Sequence, residues 1–130
     1  MSKYLLDTNI ISSYLRGDET LKEKISGNID LIATSIISYY EIISGLLSIN
    51  ANKRINEFEV FCEIVEIVNL DKSSIKASCQ IYSDLKISGN LIDDIDILIA
   101  GIAISHNFIF VTDNTKHFKR IKNLKIENWK

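Results

Sequence analysis

Apolar and polar positions alternate along the chain in a pattern that predicts strands separated by helices. Lys3 to Leu6 is a short apolar run stopped by Asp7, and Ile10, Ile11 and Tyr14 then follow at helical spacing until Gly17. Asp18 is placed to cap a short helix through Ile25. Leu31 to Ala33 reads as a buried strand, after which Tyr39, Ile42, Ile43, Leu46 and Leu47 recur on one face of a helix. Ile55, Phe58 and Phe61 mark another helix, and Ile64 to Leu70 is strand-like. Asp71 can cap a helix that carries Ile75, Cys79, Tyr82 and Leu85 and stops at Gly89. Ile95, Leu98, Ile99 and Ile102 form the next apolar stripe, Phe108 to Val111 is the clearest strand, and Lys125 to Glu127 adds an edge strand. Strands alternating with helices predict an α/β fold, a three-layer sandwich whose central, mostly parallel sheet is covered by helices.

Proline is absent, and no Gly/Ser-rich stretch, long like-charged run or internal repeat divides the chain, so residues 1–130 are expected to form one domain. A chain of this length buries roughly two-thirds of the surface it exposes when unfolded, so neither disulfides nor a structural metal is needed to hold it. Cys62 and Cys79 accordingly make no disulfide framework. The longest stretch without Asp, Glu, Lys or Arg, Ile97 to Thr112, contains Gly101, Ser105, His106 and Asn107 and is too short and polar to span a membrane. Asp7 interrupts the first apolar run before a signal-peptide core can form, so a cytoplasmic protein is expected.

The net charge of −2 is unevenly placed. Residues 114–130 hold six Lys or Arg against one Glu, leaving nine bases against sixteen acids in residues 1–113. Such a chain does not bind nucleic acid by bulk charge, so any nucleic-acid chemistry must be local.

In a parallel sheet, ligands sit beyond the carboxyl ends of the strands. Asp7 and Asp113 follow two separate strands, Glu41 lies near the start of one helix, and Asp93, Asp94 and Asp96 open another. Each acid also has a purely structural role open to it. Asp7 begins a stretch rich in capping types, Asp93 or Asp94 caps its helix, and Asp113 can simply start a turn. Ser38-Tyr39-Tyr40-Glu41 reads as a capping box in which Glu41 bonds back to the Ser38 N–H.

If the acids converge, their like charges resist ionisation unless a cation enters. Mg²⁺ or Mn²⁺ removes that cost with few protein carboxylates, and supports hydrolysis of a phosphodiester. Other arrangements fail: there is no GxxxxGK[ST] loop, no GxGxxG after the first strand, and Asp7-Thr8-Asn9 lacks the second Asp of a DxD phosphotransfer motif. Cys62, Cys79, His106 and His117 lack the short paired spacing of a zinc site.

Four segments in order carry a resemblance: Tyr4-Leu5-Leu6-Asp7-Thr8-Asn9-Ile10-Ile11-Ser12, Ser38-x-x-Glu41, Asp96-Ile97-Leu98-Ile99-Ala100-x-x-Ala103, and Val111-Thr112-Asp113-Asn114 with His117-Phe118. Together they resemble the PIN domain, and more closely the VapC-like toxins of toxin–antitoxin pairs, over Lys3 to Trp129. The resemblance implies an endoribonuclease dependent on Mg²⁺ or Mn²⁺, in which water and not the RNA 2′-hydroxyl attacks the phosphodiester. Asp7 and Asp96 match the family's metal-binding acids and Glu41 its acidic helix residue. The fourth position is open between Asp113 and Asn114, because the family's Thr-x-Asp falls on Asn114 here. Thr8, Asn9, Asp94 and Thr112 match supporting positions. Lys116, Lys119, Arg120 and Lys122 are candidates to hold an RNA backbone, or else form a solvated helix face.

The resemblance also implies a homodimer and a cognate antitoxin of the VapB type. Its C-terminal segment is expected to lay apolar residues against the early helices around Ile10, Ile11, Tyr14, Tyr39, Leu46 and Leu47 and to point an Arg or Lys at Asp7, Glu41 and Asp96. Two other classes stay open, a catalytically inactive PIN-like module that binds RNA or assembles with partners, and a small nucleotide phosphohydrolase. Asp7, Glu41 and Asp96 together argue against the first, and the lack of any marker for a base-binding pocket argues against the second.

Overall fold

A computed structural model describes residues 1–130. Five strands, β1 (Tyr4–Leu6), β2 (Ile32–Ser35), β3 (Glu66–Val68), β4 (Ile109–Val111) and β5 (Lys125–Glu127), form one sheet in the order β3-β2-β1-β4-β5, and every pairing is parallel. Seven helices connect them: α1 (Thr8–Leu15), α2 (Glu19–Gly27), α3 (Ile36–Ser48), α4 (Asn52–Ile64), α5 (Lys72–Ser88), α6 (Asp94–Ser105) and α7 (Thr115–Phe118).

Side chains alternate across a strand, so each strand feeds two cores. Leu5, Ala33 and Phe110, aligned in neighbouring strands, face a core closed by α5, α6 and α7 through Ile81, Leu85, Ile102 and Phe118. Leu6, Ile32 and Val111 face the other core, closed by α1 to α4 through Ile10, Leu21, Ile42 and Phe58. Burying each such aliphatic or aromatic side chain contributes about 1.5–3 kcal/mol. These are the three layers expected from the alternation of strands and helices.

Strand order decides where a ligand can enter. The chain leaves β1 toward β2 and β3 and returns to place β4 on the opposite side, so the crevice of this sheet lies beyond the carboxyl ends of β1 and β4. Asp7 closes β1 there, with its backbone N–H donating to the Val111 carbonyl at 2.8 Å.

Several boundaries and faces differ from the sequence reading. Leu31 belongs to a 3-10 turn, Ile29–Leu31, and is 38% exposed, so β2 begins one residue later. Ile64 ends α4, and β3 keeps only three residues of the Ile64 to Leu70 run. Asp18 and Asp71 cap their helices as expected, accepting from Leu21 N and Ser74 N. Gly89 stops α5 with a left-handed φ of 74°, a backbone state that glycine tolerates.

The buried face of α5 is Ser74, Ser78, Ile81 and Leu85, whereas Ile75, Cys79 and Tyr82 are exposed. Gly101 of α6 explains this rotation. A Cβ at Gly101 would lie 1.9 Å from Ser78 Oγ and 2.6 Å from the Ser74 carbonyl, so the two helices meet backbone to backbone at a seam of small residues. Ser78 Oγ stays satisfied there by donating to the Ile97 carbonyl at 3.1 Å. On α6 itself, burial extends all round through Ile97, Ile99, Ala100, Ile102 and Ala103, not only along the expected stripe, because this helix lies between the sheet and α5.

Ile10 and Ile11 are fully buried in the core under α1. They are therefore unable to receive an antitoxin segment, which corrects that part of the expected contact surface.

Candidate active site

Asp7 is the N-cap of α1 and is only 5% exposed. Its Oδ1 accepts from the Thr8 backbone N–H and its Oδ2 from the Thr112 hydroxyl, both at 2.8 Å. Capping and a role in the site thus coexist, because each carboxylate oxygen retains a free lone pair. Burial pushes the Asp7 carboxyl from 3.8 up to about 6. The two hydrogen bonds oppose that shift, and the negative charges of Asp96 and Glu41 add to it.

The cap of α3 is Ser35, whose Oγ accepts from Ser38 N at 2.9 Å, so the Ser38–Glu41 capping box does not form. Ser38 lies inside the first turn and Glu41 a turn further along, where its Oε1 accepts from the Thr8 hydroxyl at 2.6 Å. The same hydroxyl lies 2.9 Å from Ser38 Oγ. Thr8 therefore ties the tip of α1 to α3 and holds Glu41 beside Asp7.

Asp96 lies half-buried in the first turn of α6. Desolvation raises its pKa, the charges of Asp93 and Glu41 raise it further, and His117 works in the opposite direction. Asp93 is the N-cap residue of this helix, whereas Asp94 borders a hollow with Cys79 and Tyr82 between α5 and α6. Thus Asp93, which sequence reasoning treated only as a cap, contributes charge at Asp96, and Asp94 faces elsewhere.

Beyond β4, Thr112 is fully buried, and its Oγ both donates to Asp7 and accepts from Asn114 N at 3.0 Å. Asn114 Nδ2 lies 3.0 Å from His117 Nδ1. Asp113 takes a different direction: Asn9 Nδ2 donates to its Oδ1, and Lys130 Nζ donates to its Oδ2 at 3.2 Å. Of the two residues open for the fourth position, Asn114 joins the Thr112–His117 side of the site and Asp113 is held by Asn9 and Lys130. The contacts of Ser38 with Thr8 and of Lys130 with Asp113 had no signal in residue spacing, although Ser38 and His117 stand in the segments that carry the family resemblance.

Asp7, Glu41 and Asp96 come from three segments, act on one another's charge, and have no Lys or Arg within ion-pair distance. Beside them the Asn9 Oδ1 is buried without a donor. All of these atoms are hard oxygens, which fits Mg²⁺ or Mn²⁺. No three His, Cys, Asp or Glu side chains enclose a point closely enough to cage an ion by themselves.

The basic residues are spread along a different surface. Lys119, Arg120 and Lys122 border a hollow of about 670 Å³ between α5 and the segment after α7, with none of the acids of the site at its edge. Lys116 is exposed on α7. No helix is long and apolar enough to cross a membrane.

Glu41 yields a clear expected result. Gln at position 41 still accepts the Thr8 hydroxyl, so Glu41→Gln should change melting by less than about 1 kcal/mol while cleavage falls by a much larger factor. Wild-type turnover in this variant would assign Glu41 a structural role only.

Comparisons with known proteins identify the family. The PIN domain model matches residues 4–124. Ribonuclease VapC1 of Methanocaldococcus jannaschii is 38% identical over 121 residues, covering 93% of this chain and 82% of its own. The tRNA(fMet)-specific endonuclease VapC of Salmonella typhimurium is 30% identical over 131 residues, 99% of each chain. Among solved structures, the DNA-bound VapBC of Salmonella typhimurium superposes with a TM-score of 0.94 at 29% identity over 100% of both chains. VapBC2 of Rickettsia felis, bound to a promoter DNA fragment, gives 0.91 at 28% over 98% of both. The chain belongs to the PIN domain family and, within it, to the VapC ribonucleases.

Proposed function

We propose that this chain is the toxin of a toxin–antitoxin pair, an endoribonuclease that needs Mg²⁺ or Mn²⁺ and is silenced by a VapB-type antitoxin. The observation that carries the reading is the trio Asp7, Glu41 and Asp96, buried or half-buried like charges that lack a basic partner. Its relatives include a ribonuclease and a tRNA endonuclease, and its structural neighbours are VapBC complexes.

In this reading Asp7 and Asp96 hold the ion. When bound, a divalent cation neutralises the carboxylates, favours deprotonation of water and stabilises charge on the phosphoryl oxygens. Thr112 and the Thr8 N–H fix both oxygens of Asp7 so that its free lone pairs keep one direction. Glu41, oriented by Thr8, takes the proton from the attacking water, and Asn9 is steadied through its amide by Asp113. An antitoxin Arg or Lys placed at the trio would replace the cation and close the site. A homodimer belongs to the same reading.

The test is incubation of the purified protein with end-labelled total RNA, which contains the tRNA class named for the Salmonella relative. Discrete fragments should appear with Mg²⁺ or Mn²⁺ and vanish with EDTA. Intact RNA in the presence of metal, or fragments that survive EDTA, would overturn the corresponding half of the reading. Expression in a bacterial host should slow growth only when the antitoxin is left out.

A further inference from the structure

The acids do not stand alone at the end of the sheet. A groove starts at Thr8 and Glu41 and continues between α1 and α3 to Arg16 and Arg54. Thr8 and Arg16 bracket the whole of α1, about 12 Å of helix. A second hollow shares Leu15 and Arg54 with the first and adds Lys53.

Arg16, Lys53 and Arg54 are all exposed, and none forms an ion pair. Arg16 makes only a 3.3 Å bond to Ser13 Oγ, a neighbour on its own helix. One acid, Glu57, borders the outer hollow. Two cations without ion-pair partners, Arg16 and Arg54, thus line one groove that ends at Glu41, and Lys53 extends the line into the adjoining hollow. By contrast the hollow of Lys119, Arg120 and Lys122 touches no acid of the site, and Arg120 lies 3.5 Å from the Asn90 carbonyl.

A polyanion that must reach the acids needs cations along its approach, because phosphate contacts supply most of the sequence-independent affinity for nucleic acid. We propose that the groove between α1 and the α3–α4 corner is the track of a single-stranded RNA backbone, gripped at its phosphates by Arg16, Lys53 and Arg54. The inference rests on the nuclease reading, for which it names the path of the substrate. A folded RNA would engage through an unpaired loop, whose backbone is free to follow a groove between two helices.

The test is fluorescence anisotropy of a short labelled single-stranded RNA of mixed sequence, in EDTA so that nothing is cut, across a series of salt concentrations. Each phosphate contact contributes about 0.7 to the slope of log affinity against log salt for a single strand, so Arg16→Ala/Arg54→Ala should lower the slope by about 1.4. Affinity at moderate salt should fall on the order of tenfold, and with metal present KM should rise while kcat holds. Lys24→Ala/Lys76→Ala, at exposed positions away from the groove, controls for net charge.

An unchanged slope in the Arg16/Arg54 variant overturns the track, and so does a loss confined to antitoxin binding, which would assign the groove to protein. A drop in slope produced instead by Lys119→Ala/Lys122→Ala would move the RNA to the other hollow and overturn it as well. If total RNA stays intact with metal while the slope still falls, the nuclease reading fails and the track stands. If RNA is cut and the slope is unaltered, the reverse holds.

Discussion

Asp96→Asn should abolish RNA cleavage and leave the fold almost untouched. The Asp96 side chain accepts no hydrogen bond within the protein, so the substitution breaks none. What the fold loses is one negative charge in the first turn of α6, worth about 0.3–1 kcal/mol against the helix dipole. Relief from the charges of Asp93 and Glu41 offsets part of that loss. The cost to catalysis is of another size. Residues that merely orient metal ligands typically cost about 10–100-fold when removed, and Asp96 is assigned to the ion itself, so at least about a hundredfold loss is expected. Cleavage rate, Mn²⁺ binding and melting, measured side by side, check this. Full cleavage by Asp96→Asn in EDTA would sink the metal mechanism.

The second large effect is on stability, and it has an unusual sign. Asp7 has a folded-state pKa of about 6, raised from 3.8 chiefly by burial. A carboxyl raised in this way adds stability while it is protonated, below about pH 3.8, and that contribution is lost as pH rises through 6. The shift corresponds to about 3 kcal/mol on an order-of-magnitude basis. Asp7→Asn removes the dependence. The amide oxygen still accepts from the Thr8 N–H, but the amide nitrogen is unable to accept the Thr112 hydroxyl, at a cost of about 1 kcal/mol. The inactive variant should therefore be more stable than the wild type by about 2 kcal/mol at neutral pH without metal, and the gap should close toward pH 4. Saturating Mg²⁺ should stabilise the wild type and not the variant. Urea midpoints at the two pH values decide it, because titrating groups remote from Asp7 cancel in the difference. A variant weaker than wild type at neutral pH, with the same pH slope, would show that burial of Asp7 carries no such penalty.

What could be read from sequence and what could not divides on physical lines. β1 and β4 were legible because each is a short apolar run broken by an acid, and a parallel sheet puts those breaks at one end. The face of α5 was not legible. Ser74 and Ser78 are buried with their hydroxyls bonded to Asp71 Oδ1 and the Ile97 carbonyl, and hydrophobic periodicity gives no weight to a satisfied serine. The start of α3 was misread because Ser35 and Ser38 both have a capping side chain, and only backbone geometry separates them: Ser35 is extended at φ −90°, ψ 155°. The trio Asp7, Glu41 and Asp96 was found through family spacing. Lys130 on Asp113 and Thr8 on Glu41 join residues whose separations carry no periodicity, so nothing in the sequence announced them.

The bond from Thr112 to Asp7 joins residues 105 positions apart, and β1 sits between β2 and β4. During translation the first carboxylate therefore leaves the ribosome long before its partners exist. At synthesis rates of about 5–20 residues per second, roughly 5–20 s separate the two. A nascent chain in that interval has neither α6 nor the strand that fixes Asp7, so the acids of the candidate site do not come together in it. The carboxylate cluster is thus a product of late folding, assembled only once residues 94–112 have joined the strands and helices already made.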